Sequence, residues 1–263
     1  MKKKFLLFFL IITILILIIF LFSDGTRYIG VNKKVEKQKV ANYIKIIEFY
    51  ERHLNYKKLV NTINEGANNK YEDKVLNISL WVYQNINKVK KNENVIDLHT
   101  WTIIERKVGA PDQFSDVLSV LLVYSNYDSF FTRRFNISHP ITFFKTDNYW
   151  SIIDPYYGVY FQTNENFSSL DNIKKNNRNM YHLTLGKVDF KNFKNIFFDK
   201  EFDNLNELNL YYNNLINYFP GNKNIDEISL YDRGIGSRSY AQKPFHRILF
   251  QFHKIKDYFL KLK

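Results

Sequence analysis

Residues 111–124 constrain the fold more than any other stretch. Phe114, Val117, Leu118, Leu121 and Leu122 fall at i, i+3, i+4, i+7 and i+8. That spacing gathers apolar side chains on one face of an α-helix and demands a surface to bury them. Pro111 suits the first helical turn, where a backbone N–H has no intrahelical partner in any case. Asp112 sits near the positive end of the helix dipole. Strand-like runs follow at Phe130-Phe131, Pro140 to Phe144, Tyr149 to Ile153 and Val159 to Gln162. Thr146-Asp147-Asn148 supplies turn residues between two of them and predicts a hairpin, with Asp154-Pro155 and Gly158 at its exit.

The N-terminus sets the second constraint. Met1-Lys2-Lys3-Lys4 precedes Phe5 to Phe22, a run with no charge and Thr13 as its only hydroxyl. At about 1.5 Å per residue such a helix spans roughly 27 Å, enough for a bilayer core. The run ends Leu21-Phe22-Ser23-Asp24-Gly25, a poor cleavage site. The reading is a signal anchor, with a cleaved signal peptide as its rival. The leading lysines should stay cytoplasmic, placing the rest outside as a single-pass, membrane-bound domain.

Elsewhere, Val40, Tyr43, Ile44, Ile47, Tyr50 and Leu54 predict one or two helices between Val35 and Ile63. Val75, Ile78, Val82 and Ile86 predict another over 71–89. Residues 95–107 read as a loop with a short strand. Ser168 to Ile173 reads as a short capped helix, and Leu205, Leu208, Tyr212, Leu215 and Phe219 as a longer one ending before Pro220-Gly221. From Pro244 the tail is helical by pattern, with Phe245, Ile248, Leu249, Phe252, Ile255 and Phe259 on one face. Packing against the domain is favoured there over lying on a membrane. These patterns divide the chain into residues 1–25 (cytoplasmic stub and signal anchor), 26–68 (helical connector), 69–175 (core) and 176–263 (a mostly helical extension).

Composition narrows the chemistry. The 263 residues are 45 % hydrophobic and 17 % aromatic, so the chain can bury a core. The net charge of +12 admits an anionic partner, but no nucleic-acid-binding pattern accompanies it. Nucleic acid is not expected, nor a metal, nucleotide or other cofactor, because no metal-ligand spacing or glycine-rich phosphate loop is present. There is no cysteine at all, which rules out disulfides and thiolate metal sites.

Thiol-based acyl transfer needs a thiolate at a helix N-terminus, a histidine base and a group orienting that base. The stretch from Tyr71 to Ile173 resembles the transglutaminase-like core, a relative of the papain fold. Asn77-Ile78-Ser79-Leu80-Trp81-Val82-Tyr83-Gln84-Asn85-Ile86 is similar to that family's W-V-x-x-N-I helix. Gly109-Ala110-Pro111-Asp112-Gln113-Phe114-Ser115 resembles its G-x-C-D-Q-x-[AS] nucleophile turn, with Pro111 in place of cysteine. His139-Pro140-Ile141-Thr142-Phe143-Phe144 resembles the histidine strand, with Phe143 replacing an acidic residue. Trp150-Ser151-Ile152-Ile153-Asp154-Pro155-Tyr156-Tyr157-Gly158 matches W-x-x-x-D-P-x-x-G. The resemblance implies an α+β fold with helices packed on an antiparallel sheet, and a bacterial setting tied to envelope polysaccharide. It also implies His139 as base and Asp154 as its orienter, with Asp112, Gln113 and Trp101 candidates to line the cleft.

Proline offers no nucleophile and no backbone N–H for an oxyanion, so the expected rate is several powers of ten below that of an active relative. Each retained residue also has a plain structural reading: His139 as a hydrogen-bonded buried histidine, Asp154 as a turn former. The favoured expectation is an inactive, membrane-anchored binding or scaffolding domain with an envelope glycan or protein as partner. An acyl-transfer or hydrolytic enzyme using Asp112 with His139 is the alternative, and a purely structural envelope protein a second one.

Overall fold

The computed structural model describes residues 2–31, 34–65, 71–90, 95–96, 100–132, 140–175, 178–189, 196 and 204–217. They form an α+β structure with an antiparallel sheet and seven helices, the first of which is apolar from Phe5. The tail from Pro244 and His139 itself lie outside the described residues.

Helix α1 (Lys2–Phe22) is followed by strands β1 (Asp24–Val31) and β2 (Lys34–Ala41). The expected helix from Val35 therefore begins as a strand. β1 and β2 pair antiparallel from Asp24↔Ala41 to Val31↔Lys34, and the far end of β1 also pairs with β4 (Val95–Ile96). Glu36, Lys37 and Lys39 are exposed, so no one-sided apolar pattern marks this hairpin in the sequence. Helix α2 (Asn42–Ile63) turns Tyr56 and Val60 into the core.

Helix α3 (Tyr71–Asn85) buries Val75, Ile78 and Val82 as its period requires. Residues 100–106, expected as loop, are helix α4 (Thr100–Arg106). Its β-branched residues are poor helix formers. The fold overrides that preference by burying Ile103 and Ile104 and by bonding Thr100 Oγ1 to Asp116 of helix α5 at 2.8 Å.

Helix α5 (Pro111–Tyr124) is the centre of the domain, with every residue from Val117 to Tyr124 buried. It packs beside α3 and α4 and on the main sheet, whose order is β12-β11-β9-β8-β7-β6. These strands are β6 (Ser129–Thr132), β7 (Ile141–Lys145), β8 (Trp150–Asp154), β9 (Val159–Thr163), β11 (Asn179–His182) and β12 (Gly186–Lys187). The short β10 (Asn166–Phe167) pairs with β9. β11 extends the sheet past residue 175, beyond the expected limit of the core.

Strand side chains alternate between faces, and the register places Thr142, Ile153 and Tyr160 on one face and Phe143, Asp154 and Phe161 on the other. Thr142 meets α5, its hydroxyl donating to the Ser115 carbonyl at 3.2 Å. Phe161 meets Tyr212 of helix α7 (Leu205–Asn217), edge to face at 5.1 Å. The small helix α6 (Leu170–Lys174) starts at Ser169, which accepts from Asn172 N–H as an N-cap. With helices on both faces, β8 is buried along its whole length. Ser151 sits in this strand with zero exposure, and its hydroxyl has no hydrogen-bond partner among the described residues. A buried hydroxyl without a partner is destabilising. Ser151→Ala is therefore expected to raise the unfolding free energy measured in urea by about 1 kcal/mol.

Candidate functional site

The turn before α5 is held from both sides. Gly109 in β5 (Val108–Gly109) pairs with Lys88 in β3 (Asn87–Lys88), and its carbonyl accepts from Val89 N–H at 3.0 Å. A Cβ on Gly109 would lie 3.2 Å from Ile86 Cγ2, so a side chain would push into α3's end. Gln113, expected in a cleft, turns back instead: its Oε1 accepts from Ala110 N–H at 2.9 Å and caps the helix. Ala110 has no side-chain acceptor to return the favour, so only half of a capping box is made. Arg106 braces the same turn by donating to the Val108 carbonyl at 2.7 Å.

Pro111 is the first residue of α5 and is half-buried, as is Asp112 beside it. One turn on, Ser115 Oγ donates to the Pro140 carbonyl at 2.6 Å, fixing the helix start to the backbone next to His139. Phe114 packs edge to face on Tyr156 at 5.3 Å. Trp101 faces α2. Its ring packs on Tyr56 of α2 at 5.1 Å and its indole N–H donates to Glu105, so it joins α4 to α2.

Asp154 is fully buried at the end of β8. Its Oδ1 accepts from the backbone N–H groups of Tyr156 and Tyr157, each at 3.1 Å, which shapes the exit turn at Pro155. Its Oδ2 accepts from Tyr212 Oη at 2.8 Å. Burial, then the Asp154 charge, hold the Tyr212 phenol well above its ordinary range, so it stays protonated and donates.

A second polar group lies beyond the same turn. His182 on β11 is buried; its Nδ1 faces the Thr184 N–H at 3.2 Å and its Nε2 faces Tyr83 Oη at 3.2 Å. Because a backbone N–H can only donate, Nδ1 is the acceptor and the neutral ring carries its proton on Nε2. Gly158, at φ +69°, passes between these groups; a Cβ there would sit 3.0 Å from the Tyr83 ring and 3.1 Å from Nε2. Lys88 Nζ lies over the rings of Tyr156 and Tyr157 at 4.4 and 4.9 Å.

No family model matches the chain, and no curated protein matches it. One solved structure, from Cytophaga hutchinsonii and described as a candidate cysteine protease, is similar with a TM-score of 0.34 and 20 % identity. The likeness covers 43 % of this chain and 42 % of that one. At that level it assigns no activity.

Burial first, and the positive charge of Lys88 after it, lower the His182 pKa, against an opposing hydrogen bond to the Tyr157 backbone. A histidine whose folded pKa lies below its unfolded value of about 6.5 adds stability above that value and loses it as pH falls toward the folded pKa. Unfolding midpoints should therefore fall as the pH drops through about 6.5. His182→Asn should flatten that slope. An unchanged slope in the variant would assign the loss to other groups.

Chemically, position 111 can accept neither a proton nor an acyl group. Tyr83, Lys88, His182 and Tyr212 are the polar residues that sequence spacing did not single out. Tyr83 and His182 meet across 99 residues and Tyr212 meets Asp154 across 58, separations at which no local pattern survives.

Proposed function

We propose that this is a membrane-anchored, catalytically inactive transglutaminase-like domain. The turn at the start of α5 serves in it as part of a binding or scaffolding surface at the cell envelope. The observation that carries this reading is Pro111 at the first position of α5, in a chain without cysteine. The arrangement around it supports the family likeness: a helix N-terminus joined to the start of a strand through Ser115 and Pro140, with an aspartate at the end of the neighbouring strand. In this reading α1 stays in the membrane, with Lys2 to Lys4 in the cytoplasm. The partner is an envelope glycan or protein.

Pro111→Cys tests it. A thiol at a helix N-terminus has a lowered pKa and reacts readily if reagent can reach it. The variant should keep the wild-type melting temperature within a few degrees, since first-turn proline adds no hydrogen bond. It should also label with a maleimide at neutral pH faster than Asn55→Cys on exposed α2. A folded but unreactive variant would mean that no open surface runs past this turn. Wild-type amidase or acyl-transfer activity that disappears in His139→Ala would overturn the inactive reading.

A further inference from the structure

Helix α2 carries two apolar faces. One, through Tyr56 and Val60, is buried in the domain. The other comprises Tyr43, Ile46, Ile47, Tyr50 and Leu54, which fall on one stripe at helical spacing. Ile46, Ile47 and Tyr50 are 50, 53 and 56 % exposed. Outside α1, these five make up most of the large apolar side chains left exposed among the described residues; Leu185 and Leu210 are the others.

The stripe begins where α1 ends. Phe22, the last residue of the apolar span, packs its ring on Tyr43 at 5.5 Å. Asn42 N–H bonds to the Ser23 carbonyl at 3.1 Å, and Asn42 Nδ2 to the Phe20 carbonyl at 3.0 Å. The exposed apolar surface of α1 thus runs on into α2 without a break. Lys45, two residues past Tyr43, is drawn aside: its Nζ donates to the Thr26 carbonyl at 3.2 Å. Tyrosines at both Tyr43 and Tyr50 suit the headgroup level, where an apolar ring and a polar tip are both satisfied.

From this continuity we infer that residues 42–54 of α2 lie in the bilayer interface, with Tyr43, Ile46, Ile47, Tyr50 and Leu54 facing lipid. The domain is then held against the membrane surface by two contacts, the span and the stripe. This inference rests on α1 remaining in the membrane, as proposed above, and reaches beyond it to the placement of the domain.

The cysteine-free chain makes the test direct. Single variants Leu15→Cys, Ile47→Cys, Tyr50→Cys and Asn55→Cys of the full-length protein are labelled with bimane and reconstituted into phosphatidylcholine–phosphatidylglycerol vesicles. Quenching is compared between brominated acyl chains and aqueous iodide. Leu15 reports whether α1 is embedded. With Leu15 quenched by lipid, Ile47 and Tyr50 should be quenched severalfold more by bromine than by iodide, and Asn55 the reverse. Iodide quenching at Ile47 and Tyr50, with Leu15 still lipid-quenched, overturns the inference and leaves the anchor standing. Copper-catalysed crosslinking of unlabelled Ile47→Cys between copies, without lipid quenching, assigns the stripe to a second copy and overturns it too. Absence of lipid quenching at Leu15 removes the anchor and this inference together.

Discussion

Asp154→Ala is expected to lower stability by about 3–5 kcal/mol, the range for breaking a buried, hydrogen-bonded charge. The alanine leaves the N–H groups of Tyr156 and Tyr157 and the hydroxyl of Tyr212 without the oxygens they now use. Each stranded donor costs about 1–3 kcal/mol. At 2–4 °C per kcal/mol for a chain of this size, the melting temperature should fall by roughly 10 °C. Asp154→Asn keeps an acceptor for the two amides and offers Tyr212 a donor that its oxygen can accept, so it should cost less than half as much. Urea unfolding followed by circular dichroism separates the two. An alanine variant within about 1 kcal/mol of wild type would show that the carboxylate does not organise this turn. The stability experiment also bears on function, because a residue that fits a catalytic signature is first of all the anchor of its own loop and of α7.

Trp150→Ala should be as severe, at about 3–5 kcal/mol, for a different reason. Trp150 has zero exposure and packs edge to face on Phe130 at 5.3 Å, which itself stacks on Phe143 at 5.0 Å. Deleting the indole removes apolar contacts from the middle of the sheet and leaves a cavity that helices on both faces prevent from closing. Trp150→Phe retains part of the volume and should cost about 1–2 kcal/mol. Its fluorescence should lose the blue-shifted component of a dry indole, since Trp81 and Trp101 are both partly exposed. A Trp150→Ala protein with a wild-type midpoint would place the core elsewhere.

The elements that sequence spacing revealed are those whose burial is one-sided or continuous. Helix α5 was legible because one face meets the sheet, and β7 and β8 because helices cover both of their faces. The hairpin β1–β2 was not legible: backbone pairing holds it, and the exposed Glu36, Lys37 and Lys39 precede the buried Val40, so Lys34 to Ala41 carry no strand signal. Helix α4 was hidden behind the β-branched Thr100, Thr102, Ile103 and Ile104, whose local preference the core overrules. Of the candidate site, the order of Pro111 and Asp154 along the chain was readable, and the Gln113 cap is a local contact with Ala110 three residues earlier, whereas the use of Trp101 as a contact to α2 depends on a neighbour brought in by folding. Tyr212 was legible only as an apolar helix position, and its hydroxyl turned out to matter as much as its ring.

The hairpin's two ends lie side by side, with Asp24 opposite Ala41, between the apolar span and the first helix of the domain. A pull drawing α1 away from α2 would break the Asn42 bonds to Ser23 and Phe20 and the Phe22–Tyr43 ring contact, then peel β1 from β2 one pair at a time, an opening mode that meets little resistance at each step. Six pairs, Asp24↔Ala41 to Ile29↔Glu36, open before the load reaches Gly30 and Val31, which β4 also holds. At about 3.3 Å per residue, the two freed strands together let out roughly 40 Å of chain. The join is therefore a built-in length of slack between the apolar helix and the sheet around Trp150.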